Sequence, residues 1–171
     1  MITIRPIEKK DFEVVSILGK STFIETHRES ASLQELELYA DKKYNAEKML
    51  EELNSPNILT SLIFENDIMA GYATIEFDAT APAFDSLHFT LLDKIYLLQE
   101  FQSSGLGSKL YNHVLEMARQ HQQNGIWLYV WSKNQKAIDF YIRKGFIILK
   151  EMTFKISDTH YNPCLLMVLN F

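Results

Sequence analysis

The sequence predicts a mixed α/β fold: a mostly antiparallel sheet that holds one central parallel strand pair, with helices on both faces. Three observations predict it. Two β-rich runs in the middle of the chain are separated only by turn residues, so they pair as a hairpin. Strand-like and helix-like runs then alternate, which makes a β-α-β unit and forces two strands parallel. Two last strand-like runs joined by a polar turn close the chain. A parallel pair that splays leaves a natural cleft at the carboxyl ends of its strands.

Each element has its own signal. Residues 3–5 read as a short strand ended by Pro6. Asp11 stands where it would cap a first helix, whose apolar positions Phe12, Val15, Leu18 and Phe23 follow helical spacing. Ser32 and Glu35 form an S-x-x-E capping box for a second, short helix through Leu36 and Tyr39. Asn45 would cap a third, with Met49, Leu50 and Leu53 on one face and a stop near Ser55 and Pro56. Residues 58–64 and 68–77 are the hairpin strands around Glu65, Asn66 and Asp67. Residues 78–85 carry Pro82 and small side chains and read as a loop; 89–98 form a long apolar strand. A helix over 105–121 carries Leu106, Leu110, Val114 and Met117 in one stripe. Residues 126–131 are apolar throughout, as in a strand buried on both faces. Asn134 opens a helix with Ala137, Ile138 and Tyr141 on one side, stopped by Gly145. Residues 146–156 and 165–171 are the final strands, with a polar turn over 157–163.

Bulk properties narrow the function. A chain of 171 residues suits one domain over 1–171 with a substantial core. The net charge of -5, without a clustered basic face, argues against a nucleic-acid partner. No run approaches the roughly 20 apolar residues of a membrane span, so no membrane partner is expected. A single cysteine, Cys164, rules out a disulfide within the chain, fits a cytoplasmic protein, and reads as a small buried hydrophobe. No metal-ligand spacing occurs, and a homodimer is left open.

The chemistry-bearing segment runs from Leu92 to Gly107, LDKIYLLQEFQSSGLG. A strand enters the loop Gln102-x-x-Gly105-x-Gly107 and a helix follows at once. The first turn of a helix leaves backbone N–H groups unpaired and carries a partial positive charge. Gly105 and Gly107 lack Cβ atoms, so a phosphate can approach the main chain. The pattern is neither a P-loop, since no Gly-Lys-Ser/Thr follows, nor a good dinucleotide fingerprint, since the third glycine is missing.

The run IYLLQEFQSSGLGSKLYNHVLEMA closely resembles motif A of the GNAT acetyltransferases, and IWLYVWSKNQKAIDFYIRKGF resembles their motif B. The predicted element order is similar to the family fold over nearly the whole chain. The resemblance implies an acetyl-CoA-dependent N-acetyltransferase, with acetyl-CoA as co-substrate. By the same resemblance, Ile95, Tyr96 and Leu97 would pair with the pantetheine arm. Gln102, Ser103, Ser104, Gly105, Leu106, Gly107 and Ser108 would cradle the pyrophosphate. Gln102 stands where many members have arginine, which leaves more of the binding to main-chain donors. Asn134 matches a cofactor-contacting position and is also a good helix cap. Lys133, Lys136 and Lys144 are candidates for the 3′-phosphate, or are simply solvated.

Tyr141 matches the family tyrosine that protonates the leaving thiolate; the other reading is a core tyrosine on an amphipathic helix. For the base that deprotonates the amine, Glu76, Glu25, His27, Asp93 and a water are all open. The stretch Thr22–His27, TFIETH, and the final strands with His160 between them resemble the polyamine (spermidine and spermine) acetyltransferase subgroup. Glu25, Glu29, Glu35, Glu37 and Asp41 then suggest a groove for a polycation, or a solvated helix face. The expected partner is a small-molecule amine, with a polyamine ranked first. A protein N-terminus or lysine comes next, and a non-catalytic CoA-binding regulatory module is the third reading.

Overall fold

The computed structural model describes residues 1–171. A single seven-stranded sheet runs in the order β1 (Ile2–Pro6), β2 (Ile58–Glu65), β3 (Ile68–Glu76), β4 (Phe89–Leu97), β5 (Gly125–Trp131), β7 (Tyr161–Asn170) and β6 (Ile147–Lys155). Every neighbouring pair is antiparallel except β4 with β5. Helices α1 (Phe12–His27), α2 (Leu33–Lys43) and α3 (Ala46–Asn54) cover one face, and α4 (Leu106–Gln120) and α5 (Gln135–Arg143) the other. The expected fold class holds.

The helices follow from amphipathic stripes that bury against the sheet. Leu106, Leu110, Val114 and Ala118 of α4 join Ile138 and Tyr141 of α5 over Ile126, Leu128 and Val130 of β5. Val15, Leu18 and Met49 pack on Leu62 and Tyr72 on the opposite face. The capping box of Ser32 with Glu35 forms, and Asn45 accepts from the Lys48 N–H at 2.9 Å. Asn66 and Asp67 turn the β2–β3 hairpin with positive φ at both positions, as its twist requires.

Four expectations need correction. Asp11 makes no side-chain cap for α1; its carboxylate instead accepts from Arg5 at 2.7 and 2.8 Å and from the Glu8 N–H. Leu50 points outward, while Met49 and Leu53 face the core. β5 is not buried on both faces, because Tyr129 is 41% exposed. The last strand begins at Tyr161 rather than 165, since residues 161–164 pair with 152–155 of β6 and the turn shrinks to 157–160. Pro163 sits inside that strand because its carbonyl still accepts, from the Ser132 N–H, while it needs no donor. No helix is long and apolar enough to cross a membrane.

Candidate active site

The sheet opens where its two central strands part. β4 and β5 are in register only from Phe89, Thr90 and Leu91 to Gly125, Ile126 and Trp127. Beyond these, β4 pairs with β3 alone and β5 with β7 alone. The parting begins at a bulge: Thr74 of β3 opposes Lys94 while Ile75 opposes Leu92, so Asp93 is an extra residue in β4. A bulge bends its strand and increases the local twist. Residues 92–97 therefore present an unpaired backbone edge to the opening, and Ile95, Tyr96 and Leu97 all lie on it.

The loop at the top of this opening is rich in free donors. The N–H groups of Ser103, Ser104, Gly105, Gly107 and Ser108 meet no acceptor in the chain. Leu106 N–H contacts only the Ser104 hydroxyl, at 3.4 Å. Ser103 and Gly105 have φ of +66° and +84°, and a backbone that alternates hand in this way gathers successive N–H groups into an anion-binding concavity. Gly105 thus meets a conformational need that its missing Cβ alone did not suggest. Gly107 meets none: a Cβ there would touch only a Leu97 methyl, at 3.5 Å. No side chain caps α4, whereas Asn134 caps α5 by accepting from Ala137 N–H at 3.2 Å.

Helix α5 forms the facing wall. Tyr141 is buried among Phe140, Tyr111 and Phe146. Its hydroxyl bonds to nothing in the chain but remains open to solvent, unlike the sealed hydroxyl of Tyr111. Burial, with smaller contributions from Tyr96 and Tyr111, pushes its pKa well above the usual phenol value, so it keeps its proton throughout the neutral range. Of the three candidate lysines, Lys144 lies over the rings of Tyr111 and Phe140, and Lys133 is exposed. Lys136 reaches the loop, donating to Gln102 Oε1 at 2.9 Å.

On the α1–α3 side the bulge presents Asp93. Its carboxylate lies 3.1 Å from the buried Lys94 ammonium, which also donates to Glu52 of α3 at 2.7 Å. Burial alone would lower the Lys94 pKa, but Asp93 and Glu52 outweigh it and hold the ammonium charged. Tyrosines crowd the same place. Burial and then the Asp93 charge push Tyr39 up to about 12. Tyr96 also rises to about 12, chiefly by burial.

The other base candidates fare less well. Glu25 is exposed and makes no hydrogen bond or ion pair, and Glu76 ends β3 without a polar contact. His27 is buried against Phe23, Trp131 and Phe154, its Nδ1 has no partner, and burial lowers it to about 4. The acidic helical run does not line a channel either. Glu25, Glu29 and Glu37 are exposed, Asp41 pairs with Lys20, and Glu35 is spent on Ser32 and Ser157. Cys164 is buried, and burial pushes its thiol up to about 11, so it is no nucleophile at neutral pH.

Two features escaped sequence reasoning. The first is the bulge that brings Asp93 and Lys94 to one face; two charges inside an apolar strand were its only signal. The second is a clasp between distant segments. Ser157 donates to Glu35 at 2.6 Å and Asn162 donates to Ser30 at 2.7 Å, which ties the β6–β7 turn to the α1–α2 connection. The His160 ring holds Asn162 Oδ1 at 2.8 Å. A separate cavity of about 160 Å³ lies under α3, lined by Val15, Met49 and Tyr72, and shares Glu52, Thr74 and Lys94 with the surroundings of the bulge.

Known proteins are similar over the same region. Residues 22–146 match the profile described as the Acetyltransferase (GNAT) family. An uncharacterized N-acetyltransferase of Lactobacillus delbrueckii subsp. lactis is 25% identical over 165 residues, 96% of this chain and 95% of that protein. N-alpha-acetyltransferase 50 of Danio rerio is 28% identical over 113 residues, 63% of this chain and 61% of that one. In three dimensions, the PaiA N-acetyltransferase of Thermoplasma acidophilum, solved with coenzyme A, superposes with a TM-score of 0.81. It covers 100% of this chain and 99% of its own, at 20% identity.

Proposed function

Because the chain belongs to the acetyltransferase (GNAT) family and is an acetyl-CoA-dependent N-acetyltransferase, we propose that it acetylates a primary amine of a small cationic molecule, a polyamine such as spermidine. The observation that carries this is Asp93 at the β4 bulge, an acidic group among tyrosines at the point where the sheet opens.

Acetyl-CoA supplies an acetyl group activated as a thioester. The free N–H groups of 103, 104, 105, 107 and 108, with the open edge of 95–97, are the chain's fit to its diphosphate and pantetheine. An ammonium must lose one proton before it attacks and a second as the C–N bond forms. Asp93, 41% exposed, takes these protons and passes them to solvent. Lys94, 3.1 Å away, holds its carboxylate in place. Thiols ionise near about 8.5, below the phenol of Tyr141 even before burial raises it. Full transfer from Tyr141 to sulfur is therefore uphill. Its O–H acts by donating a hydrogen bond as the sulfur departs.

The clasp supports a small acceptor over a polypeptide. A polypeptide needs an open groove, and the α1–α2 connection and the β6–β7 turn are hydrogen-bonded to each other instead. The acidic helical run no longer supports the polycation, so the reading rests on Asp93 and its aromatic surroundings. A protein amino terminus is the second reading, favoured by the 28% identity to the Danio rerio enzyme. Thiol release from acetyl-CoA separates the two. Turnover with spermidine or spermine and none with amino-terminal peptides is expected; turnover with peptides alone would overturn the polyamine assignment.

A further inference from the structure

The loop at the start of α4 has main-chain donors but little charge. Residues 98–108 contain no cation, and their one charged side chain is Glu100. Gln102 occupies the position from which an arginine would act. Its amide is held at both ends: Nε2 donates to the Leu97 carbonyl at 3.4 Å, and Oε1 accepts from Lys136 at 2.9 Å. Lys136 belongs to the other side of the opening, in the first turn of α5.

Three facts about Lys136 point the same way. It makes no ion pair, and its one polar partner is the neutral Gln102 amide across the opening. Its neighbour Asp139 is taken by Gln135 at 2.7 Å. It also stands at the positive end of α5, where the helix dipole disfavours a cation and where no acidic residue offsets it. A lysine kept at an unfavourable helix position, with only a neutral partner, concentrates uncompensated positive charge at the opening. The free N–H groups of the α4 start lie across the Gln102 bridge from it.

We propose that Lys136 supplies from α5 the fixed charge that the α4 loop lacks, and that it pairs with the diphosphate of the cofactor rather than with the 3′-phosphate. This rests on the acetyl-CoA site described above. Gln102 keeps the ammonium beside the loop and hands it over when a phosphate arrives.

Calorimetric binding tests it with three probes: CoA, 3′-dephospho-CoA and pantetheine. Lys136→Met keeps the aliphatic stem and removes the charge. It is expected to weaken CoA and 3′-dephospho-CoA alike, by about fivefold, the scale of an exposed ion pair. Pantetheine, which has no diphosphate, should bind the variant and the parent equally. Lys136→Arg should restore binding, and the loss should shrink as salt is raised. Lys150→Met, an exposed lysine on β6, serves as the control and should change nothing. A loss confined to CoA would move Lys136 to the 3′-phosphate and overturn the proposal, as would unchanged binding of all three probes. Failure of the parent protein to bind CoA at all would instead overturn the underlying site.

Discussion

The starts of α4 and α5 face each other across the opening and are built in opposite ways. Helix α5 is capped: Asn134 satisfies the Ala137 N–H, and the helix carries Tyr141 on its buried side. Helices α2 and α3 are capped likewise by Ser32 and Asn45. Helix α4 alone among these begins on a glycine at positive φ, with five N–H groups in and before its first turn left without acceptors. A good cap is worth about 1 kcal/mol, so α4 gives up stability that three other helices retain. The difference teaches that the two ends divide the work. On the proposed reading, the bare end binds and the capped end holds the chemistry in place.

Substitutions should separate those roles. The largest effect is expected at Tyr141. Tyr141→Phe should cut kcat by about a thousandfold, the upper range for removing one hydrogen bond to developing negative charge, while CoA affinity stays within twofold, roughly. Equal turnover would remove Tyr141 from the reaction. The pH profile sharpens this point. Tyr141 must stay protonated to work, and its pKa is raised, so its loss of proton lies beyond the usual phenol value near about 10. The rate should climb with pH as free amine accumulates, with no descending limb below about pH 9.5. A fall that sets in near neutrality would contradict the raised phenol.

Gly107→Val tests the bare end. Its Cβ meets only a Leu97 methyl at 3.5 Å, so the fold should tolerate it, while the branched side chain fills the donor cradle. CoA affinity should drop by about tenfold, or 1.4 kcal/mol, with the melting temperature nearly unchanged. Unaltered affinity would show that the diphosphate sits elsewhere. The smallest effect belongs to the capped end. Asn134→Ala should cost about 1 kcal/mol of stability in urea unfolding. Asn134→Asp keeps the acceptor and should restore stability. If it nevertheless binds CoA more weakly, the amide nitrogen of Asn134 has a second duty toward the cofactor.

The sequence made α4 and its loop legible because binding by main-chain donors needs a local pattern: a strand, two glycines and a helix in immediate succession. Tyr141 was named through the resemblance to motif B, and the structure buries it on α5 against Phe140 and Phe146. Asp93 stood only as one of several open base candidates, because a bulge is set by pairing with β3 and leaves little trace within β4 itself. The clasp was invisible, since Ser157 and Glu35 lie 122 residues apart. The acidic residues of α1 and α2 misled for the opposite reason: composition reports charge but not the face on which it sits. Tyr129 failed the buried-strand expectation at the place where β5 has lost β4 as a neighbour.

The most direct test of the division between the two helix ends is amide hydrogen exchange, residue by residue, with and without CoA. Added CoA should slow exchange at 103, 104, 105, 107 and 108 and along 95–97. The first turns of α2 and α3, already capped, should not change. No added protection at the α4 start, with binding demonstrated in the same sample, would contradict the account.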